Sequence, residues 1–480
     1  MRSSSSLGSQ PAGIAEQARA LVGGRRAMVI GLAREGVDLT RFLSSHGASV
    51  LVTDQKPAHE LQQALAVLGG TPGMPADSEK QGDASVAVTY RLGGHSEDDL
   101  ARIDVVYASP GVPPEHQLVQ AARKRGIQLS SLVELFFALC PAPIVGVTGS
   151  AGKSTTTSLI GDIFTADGRE VFVGGNIGRP LLGKLEHMSA SSWVIMELSS
   201  FQLEPLRVSP HISLVTNVTP NHLDRHPNMQ AYWAAKGQIL AHQAPTDWAV
   251  LNADDAWTLR YRPRGRVLHF SLEGVIEGAY LAGQRLMLLG DPLLDVSEVP
   301  LRGRHNLANV LAAMAATHAA AIDRQAMRAA VQAFKGVPHR LQTVADRDGV
   351  LFVDDSIATA PERSIAALRA YDEPLVLVAG GRDKHLPMQA WTSLIAKRVK
   401  HVVLLGEMSD RIAEALHVAD PSYSAISRAA SMDEAVAHAA RVARAGDVVL
   451  LSPGGTSYDM YRDFEERGRD FARAVSELHA

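Results

Sequence analysis

In the run Gly146-Val-Thr-Gly-Ser-Ala-Gly-Lys-Ser154, three glycines lead straight into a lysine and a hydroxyl. The apolar stretch Ala142-Pro-Ile-Val145 before it reads as a short buried strand. Ser158-Leu-Ile-Gly-Asp-Ile-Phe164 after it carries apolar residues at helical spacing. Strand, glycine loop and helix in that order commit this part of the chain to an α/β layer. The same order builds a phosphate site. Glycines let backbone N–H groups converge on phosphate oxygens, and the helix N-terminus adds partial positive charge. Lys153 can reach terminal phosphates, and the hydroxyl of Ser154 or Thr155 can ligate Mg²⁺. Val147 stands where a strict P-loop has its first glycine. An ordinary strand-to-helix turn is the competing reading, and a lysine with hydroxyls directly after three glycines disfavours it. The sequence predicts a chain that binds ATP or GTP.

Composition narrows the partners. With 480 residues the chain has room for about two to four domains. A formal net charge of −4 gives no general attraction to nucleic acid or an anionic membrane. The single cysteine, Cys140, excludes an intramolecular disulfide framework and reads as a small buried residue ending a helix. No stretch approaches the roughly 20 apolar residues of a membrane span. The first ten residues lack the apolar core of a signal peptide, and residues 1–24 read as a disordered tail. The expectation is a soluble, cytoplasmic monomer with neither a nucleic-acid nor a membrane partner.

Strands alternating with helices divide the rest into three blocks. The first, residues 25–141, opens with Arg26-Ala-Met-Val-Ile-Gly-Leu-Ala-Arg-Glu-Gly36, a strand, a glycine turn and a helix start. Ala48-Ser-Val-Leu-Val-Thr-Asp54 is a second strand ending in a carboxylate about 20 residues after the turn, as in half of a dinucleotide-binding unit. The middle glycine of that fingerprint is missing. This weakens the case for a nicotinamide cofactor and leaves open another nucleotide, or glycines that only serve turns. The second block, residues 142–337, is a mostly parallel sheet with a small antiparallel patch expected near Val267–Val299. The third, residues 338–480, has strands at Val350–Asp354, Leu375–Ala379, His401–Leu405 and Asp447–Leu451, each meeting a polar or glycine-rich turn. Ligands of open α/β sheets sit beyond such strand ends.

Four further constellations carry chemistry. Glu197 ends an apolar strand, where a lone carboxylate is costly to bury and a cation partner such as Mg²⁺ is expected; a glutamate capping the next helix is the alternative. Asn217-Val-Thr-Pro-Asn-His-Leu-Asp-Arg-His226 concentrates metal- or phosphate-binding side chains around His222. Asn306 and Asn309 share a helix face, as ligand contacts or as caps. In the third block Asp355, Ser356, Thr359, Arg382-Asp383-Lys384 and the segment Ser457–Phe464 suggest an anionic small-molecule site.

In order along the chain, these motifs resemble the Mur ligase family, ATP-dependent amide-forming enzymes of peptidoglycan precursor synthesis. The likeness runs through Thr148–Ser154, Gly175-Asn-Ile-Gly178, Glu197-Leu-Ser-Ser-Phe-Gln-Leu-Glu204, Asn217–Asp224, His305–Asn309, Pro338-His-Arg340, Asp355-Ser356 and Leu451-Ser-Pro453. It is greatest to the branch that adds D-glutamate to UDP-N-acetylmuramoyl-L-alanine. It implies three consecutive α/β domains: a Rossmann-like UDP-substrate domain, a P-loop ATP domain and a Rossmann-like glutamate domain. It implies an acyl phosphate attacked by the incoming amine. Thr148, Gly149, Ser150, Ala151, Gly152, Lys153, Ser154, Thr155, Asn309, Arg340 and Asp355 would contact ATP. Ser154, Glu197, His222 and Lys236 would serve two Mg²⁺ ions, with Lys236 carbamylated, and Lys153, His222 and Lys236 would be catalytic. Gly31, Leu32, Ala33, Arg34, Asp54, Ser109, Asn176 and His222 would contact the UDP substrate, and Thr359, Lys384, Ser457 and Phe464 the glutamate.

The chain departs from the family pattern at Ser150-Ala151, where Thr-Asn is common. It departs again at Ile357 and Ala360, and at Gly454-Gly455 in place of Ala-Cys. The last three adjoin the amino-acid positions and leave L-glutamate or another amino acid as alternatives. A non-catalytic nucleotide-binding regulator is the alternative from another class.

Overall fold

Apolar runs that stop at glycine or aspartate turns become the strands of three sheets. The computed structural model describes residues 13–69, 79–80, 88–176, 181–222, 225–301, 303–384 and 386–478. The first twelve residues of the expected tail, Ile177-Gly178 and Leu223-Asp224 lie outside the described residues. Two compact units form: one runs to Val299 and includes Arg304–Gln332, the other comprises Pro300–Gly303 and Ala333 onward.

The first unit opens with helix α1 (Ile14–Val22). Residues of the expected tail are therefore helical here, because Ala18 and Val22, four apart, bury in one core with Leu135, Phe136 and Leu139. Strands β1 (Arg26–Ile30), β2 (Ser49–Asp54), β3 (Glu79–Lys80), β4 (Val88–Leu92), β5 (Val105–Ala108) and β6 (Gln128–Ser130) form a sheet ordered β3-β4-β2-β1-β5-β6. All pairs are parallel except β3 with β4. Helix α2 (Arg34–Ser45) follows β1. With β2 and β5 on opposite sides of β1, the strand order switches at β1, and a crevice opens at its carboxyl end.

The second sheet holds β7 (Ile144–Thr148), β8 (Val171–Gly175), β9 (Trp193–Glu197), β10 (Ile212–Val215), β11 (Trp248–Asn252), β12 (Arg266–Ser271), β13 (Gly278–Ala282), β14 (Arg285–Leu288) and β15 (Asp291–Asp295). Its order is β15-β14-β13-β12-β11-β10-β7-β9-β8. The antiparallel patch is smaller than expected: β12 and β13 pair in parallel, and only β13-β14-β15 run antiparallel. Four helices of this domain bear on the site: α3 (Lys153–Ala166), α4 (Ser200–Leu203), α5 (Met229–Ala241) and α6 (Arg304–Ala319).

The second unit has β16 (Gln342–Arg347), β17 (Val350–Asp354), β18 (Leu375–Gly380), β19 (Val399–Leu405), β20 (Ile426–Ala429) and β21 (Val448–Gly454), ordered β16-β17-β21-β18-β19-β20. Only β16 is antiparallel to its neighbour. Apolar residues from both faces of the central strands bury into separate cores, Val353, Leu377 and Leu450 in one and Phe352, Val376 and Val449 in the other. That accounts for their unbroken apolar runs. Helix α7 (Phe464–Glu477) closes the chain.

Candidate active site

The phosphate loop sits between β7, buried throughout, and α3. Gly149 has φ 147° and Gly152 has φ 82°. A Cβ at Gly149 would come within 1.9 Å of Thr216 Oγ1, and one at Gly152 within 2.2 Å of Asn309 Oδ1. Both the dihedrals and the close neighbours demand glycine. The chain after β10 braces the loop: the Ser150 N–H donates to Asn217 O at 2.9 Å and the Ala151 N–H to Asn217 Oδ1 at 3.0 Å. The Thr216 hydroxyl donates to Ala151 O at 2.6 Å. First-turn N–H groups of α3 have no intrahelical acceptors and present a partial positive charge. Thr148 is fully buried, and among the described residues its hydroxyl has no hydrogen-bond partner. Asn309 reaches the loop from α6, accepting from Thr156 Oγ1 at 3.4 Å and donating to Asn306 Oδ1 at 3.0 Å.

Two lysines converge on the loop. Lys153 Nζ donates to Gly149 O at 2.8 Å and to Ser150 O at 3.1 Å. Lys236, on α5 and 1% exposed, donates to the same Gly149 O at 2.9 Å. Burial first, and the neighbouring Lys153 second, push the Lys236 amine down to about 6, against a smaller opposing pull from Glu197. Its Nζ also lies 4.6 Å from the Tyr232 ring centroid. The Tyr232 hydroxyl lies 3.1 Å from Ser150 Oγ, and its ring lies 6.4 Å from that of His222. His222 is exposed, with φ 53°, and rests edge-on against Phe201 at 5.1 Å.

Glu197, 2% exposed at the end of β9, accepts from Ser154 Oγ at 2.7 Å and from Asn176 Nδ2 at 2.8 Å. The helix-capping alternative fails, since Ser199 caps α4 instead. A buried carboxylate beside a hydroxyl is the oxygen donor set Mg²⁺ takes. The residues present therefore fit one hard cation at Ser154 and Glu197.

In the first domain the predicted contacts form one connected turn. The Leu32 N–H donates to Asp54 Oδ2 at 2.7 Å, and Ser109 Oγ donates to Gly31 O at 3.1 Å. Gly31, Asp54 and Ser109 thus meet at the carboxyl ends of β1, β2 and β5. Ala33 and Arg34 are exposed, whereas the Leu32 side chain is buried and offers only backbone. Asn176 lies apart from this turn, on Glu197. Polar bridges tie this domain to the central one: Gln202 Nε2 donates to Glu35 Oε1 at 2.8 Å, Arg225 reaches the carbonyls after Ser109, and His46 lies 3.8 Å from Glu186.

In the second unit Asp355 is 4% exposed and accepts from Ser452 Oγ at 2.9 Å and from the Leu341 N–H at 3.3 Å. Burial pushes its carboxyl up to about 7, and the nearby Arg340 offsets part of that. The loop after Asp355 carries Thr359 and reaches Phe464, two of the expected glutamate positions. Ser356 Oγ donates to Phe464 O at 2.8 Å, the Gly454 N–H donates to Ala358 O at 2.9 Å, and Arg363 NH1 donates to Ile357 O at 3.2 Å. Lys384 is exposed, and its amine is lowered by partial burial and then by Arg363. Ser457 is 2% exposed on the turn after β21. A Cβ at Gly454 would lie 2.5 Å from Trp391, and one at Gly455 2.4 Å from Met408 Sδ. The bare Gly454-Gly455 turn is therefore a packing consequence of those two large side chains. Sequence reasoning passed over Arg467, 3% exposed, which donates to Ser356 O and Oγ at 2.9 Å each. A charged residue inside an apolar-spaced helix was its one signal.

These features place the chain in a known class. It matches the families described as Mur ligase MurD-like, N-terminal domain over residues 25–131, Mur ligase middle domain over 147–317, and Mur ligase, glutamate ligase domain over 339–455. The chain belongs to the Mur ligase family. It is 42% identical over 465 residues to the UDP-N-acetylmuramoylalanine--D-glutamate ligase of Symbiobacterium thermophilum, covering 94% of this chain and 98% of that protein. The like-named protein of Pelotomaculum thermopropionicum is 39% identical over 462 residues, covering 95% and 98%. Among solved structures, the UDP-N-acetylmuramate-alanine ligase of Thermotoga maritima superposes with a TM-score of 0.56 at 19% identity, covering 94% of this chain and 99% of that one. The MurF ligase of Thermotoga maritima in complex with ADP gives 0.53 at 18% identity, covering 94% and 96%. Both share the three-domain α/β fold.

Proposed function

We propose that the chain is an ATP-dependent ligase joining D-glutamate to UDP-N-acetylmuramoyl-L-alanine in peptidoglycan precursor synthesis, with release of ADP and phosphate. The observation that carries this reading is the convergence of Lys153 and Lys236 on Gly149 O beside the Ser154–Glu197 pair. The names and near-complete coverage of the curated relatives support the choice of substrates.

In this reading residues 25–141 hold the UDP substrate, 142–337 hold ATP and 338–480 hold glutamate. The first-turn N–H groups of α3 and Lys153 cradle the phosphates and stabilise charge on the transferring phosphoryl group. That group passes to the alanyl carboxylate, the glutamate amine attacks the resulting acyl carbon, and phosphate leaves. Mg²⁺ held by Ser154 and Glu197 would neutralise phosphate charge. His222 and Lys236 would serve a second ion. Carbamylation of Lys236 forms an N–C bond to CO₂ with loss of one proton from Nζ. It needs a neutral amine, and burial at the Gly149 carbonyl favours that form. In the C-terminal domain Arg363 acts on Lys384 as a like charge, a repulsion that a dianionic amino acid would relieve. The backbone and hydroxyls of Thr359 and Ser457 would receive its second carboxylate.

A coupled phosphate-release assay tests the reading. Release that requires both UDP-N-acetylmuramoyl-L-alanine and D-glutamate is expected; ATP binding without such release would identify a regulator.

A further inference from the structure

Arg225 has no role in the reaction described above, yet it makes three hydrogen bonds from the central domain to the first. Its guanidinium donates to the carbonyls of three consecutive residues: Pro110 at 3.4 Å, Gly111 at 3.1 Å and Val112 at 3.0 Å. These directly follow Ser109, whose hydroxyl holds Gly31 O. The guanidinium carbon lies 4.9 Å from the Phe201 ring centroid. The same ring meets His222 edge-on at 5.1 Å and stacks on His226 at 5.4 Å. The backbone completes the link, because the N–H groups of Arg225 and His226 both donate to His222 O, at 3.1 and 2.9 Å. His222 itself sits at φ 53°, a left-handed conformation that a non-glycine residue keeps only when its surroundings hold it there.

One planar fork thus grips three carbonyls of the first domain while its own backbone pins the His222 turn of the second. Lysine cannot reproduce this, having a single nitrogen and no flat face to lay on Phe201. We infer that Arg225 is a positioning residue: it splints the Ser109–Val112 loop to the His222 turn, so that docking of the UDP-linked acceptor and placement of His222 are set together. The inference rests on the reading of Gly31–Arg34, Asp54 and Ser109 as uridine-nucleotide contacts.

The test uses the full-length protein and its R225M and R225K variants. Initial rates are measured with UDP-N-acetylmuramoyl-L-alanine, ATP and D-glutamate varied in turn, and UDP alone is titrated by calorimetry. The KM for the UDP-linked acceptor should rise about tenfold in R225M and less in R225K, as expected for lost charge-assisted bonds, while the KM for ATP stays put. UDP should bind more weakly to R225M than to the wild type. Because the arginine reaches the chemical step only through His222, R225M combined with H222N should have a kcat little below that of H222N alone. An unchanged acceptor KM in R225M, an equal rise in all three Michaelis constants, or losses that simply multiply in the double variant would each overturn the inference. Should R225M fail to fold, R225K carries the same comparisons. A wild-type protein that does not bind UDP would instead sink the uridine-site reading on which the inference rests.

Discussion

Lys153 and Lys236 donate to one acceptor, the Gly149 carbonyl, at 2.8 and 2.9 Å. Two ammonium groups on one oxygen repel strongly in so dry a place, which disfavours the charged form of the more buried one. Lys236 is the more buried and carries the amine lowered to about 6. Lys153 is half-buried at the start of α3, and in the proposed reaction it is the lysine that would meet the phosphates. The pair divides two jobs between residues that look alike in sequence.

Lys153→Ala should therefore lower kcat by at least about a hundredfold, as loss of a positioned charge-stabilising group does. UDP binding measured by calorimetry should be nearly unchanged, because the Gly31–Asp54–Ser109 turn belongs to another domain. Loss of both activities together would contradict that separation.

Lys236→Ala should be almost inactive, with partial recovery on adding acetate or another short carboxylic acid. In the wild type, activity at limiting CO₂ should fall as pH drops through about 6, where Nζ becomes protonated and loses the lone pair that attacks CO₂. The folded amine has a lower pKa than the unfolded one, so the unfolded chain binds more protons between these values. Stability should thus rise with pH above about 6, and Lys236→Met should flatten that rise in a thermal-melting series. Near-normal turnover in Lys236→Ala would remove the carbamate from the mechanism.

Asp355 gives the opposite slope. Its carboxyl, pushed up to about 7 by burial, binds a proton in the folded protein that the unfolded chain has already released. Its contribution to stability is full below the ordinary carboxylate range and is lost as pH rises toward about 7. Asp355→Asn keeps an acceptor for Ser452 and removes the charge. Its Tm should equal or exceed that of the wild type at pH 8 and differ little at pH 4.5. A lower Tm at pH 8 would show that Arg340 compensates the charge fully.

Lys384→Ala and Ser457→Ala should each raise the KM for glutamate about tenfold or more, since a charge-assisted bond is worth about 1.5–3 kcal/mol. The KM for ATP should change little. D-glutamate should be strongly preferred over L-glutamate in the same assay. The packing of Gly454-Gly455 against Trp391 and Met408 supports this, because that departure from the family pattern answers to its packing neighbours. A measured preference for L-glutamate would mean that Ile357 or Ala360 reshapes the pocket.

Much of the architecture was legible in the sequence because it is set locally. The apolar runs before Gly31, Gly149 and Gly381 read as strands and are β1, β7 and β18. The loop Gly149–Gly152 declared itself through glycines that must take positive φ. Edge strands such as β6 and β20, with half-buried alternating residues, carried too weak a pattern to be found. The antiparallel patch expected near Val267–Val299 is present but confined to β13–β15, because alternation in a strand reports which face is buried and says nothing of its neighbour's direction.

The chain by itself determined the glycine loop between β7 and α3, the phosphate site of the proposed function, since a glycine loop with a following lysine works through groups only a few residues apart. It determined the carboxylate at the end of β9 for the same reason. Tertiary structure alone decided that the Lys236 amine is lowered, because its acceptor lies 87 residues away in sequence and the dryness around it comes from the packed core. It alone joined Ser154 and Asn176 on Glu197, and laid Arg225 across the Pro110–Val112 carbonyls. Burial, charge proximity and hydrogen bonding between distant segments set the chemistry of a side chain. The fold fixes those quantities, and no short stretch of sequence contains them.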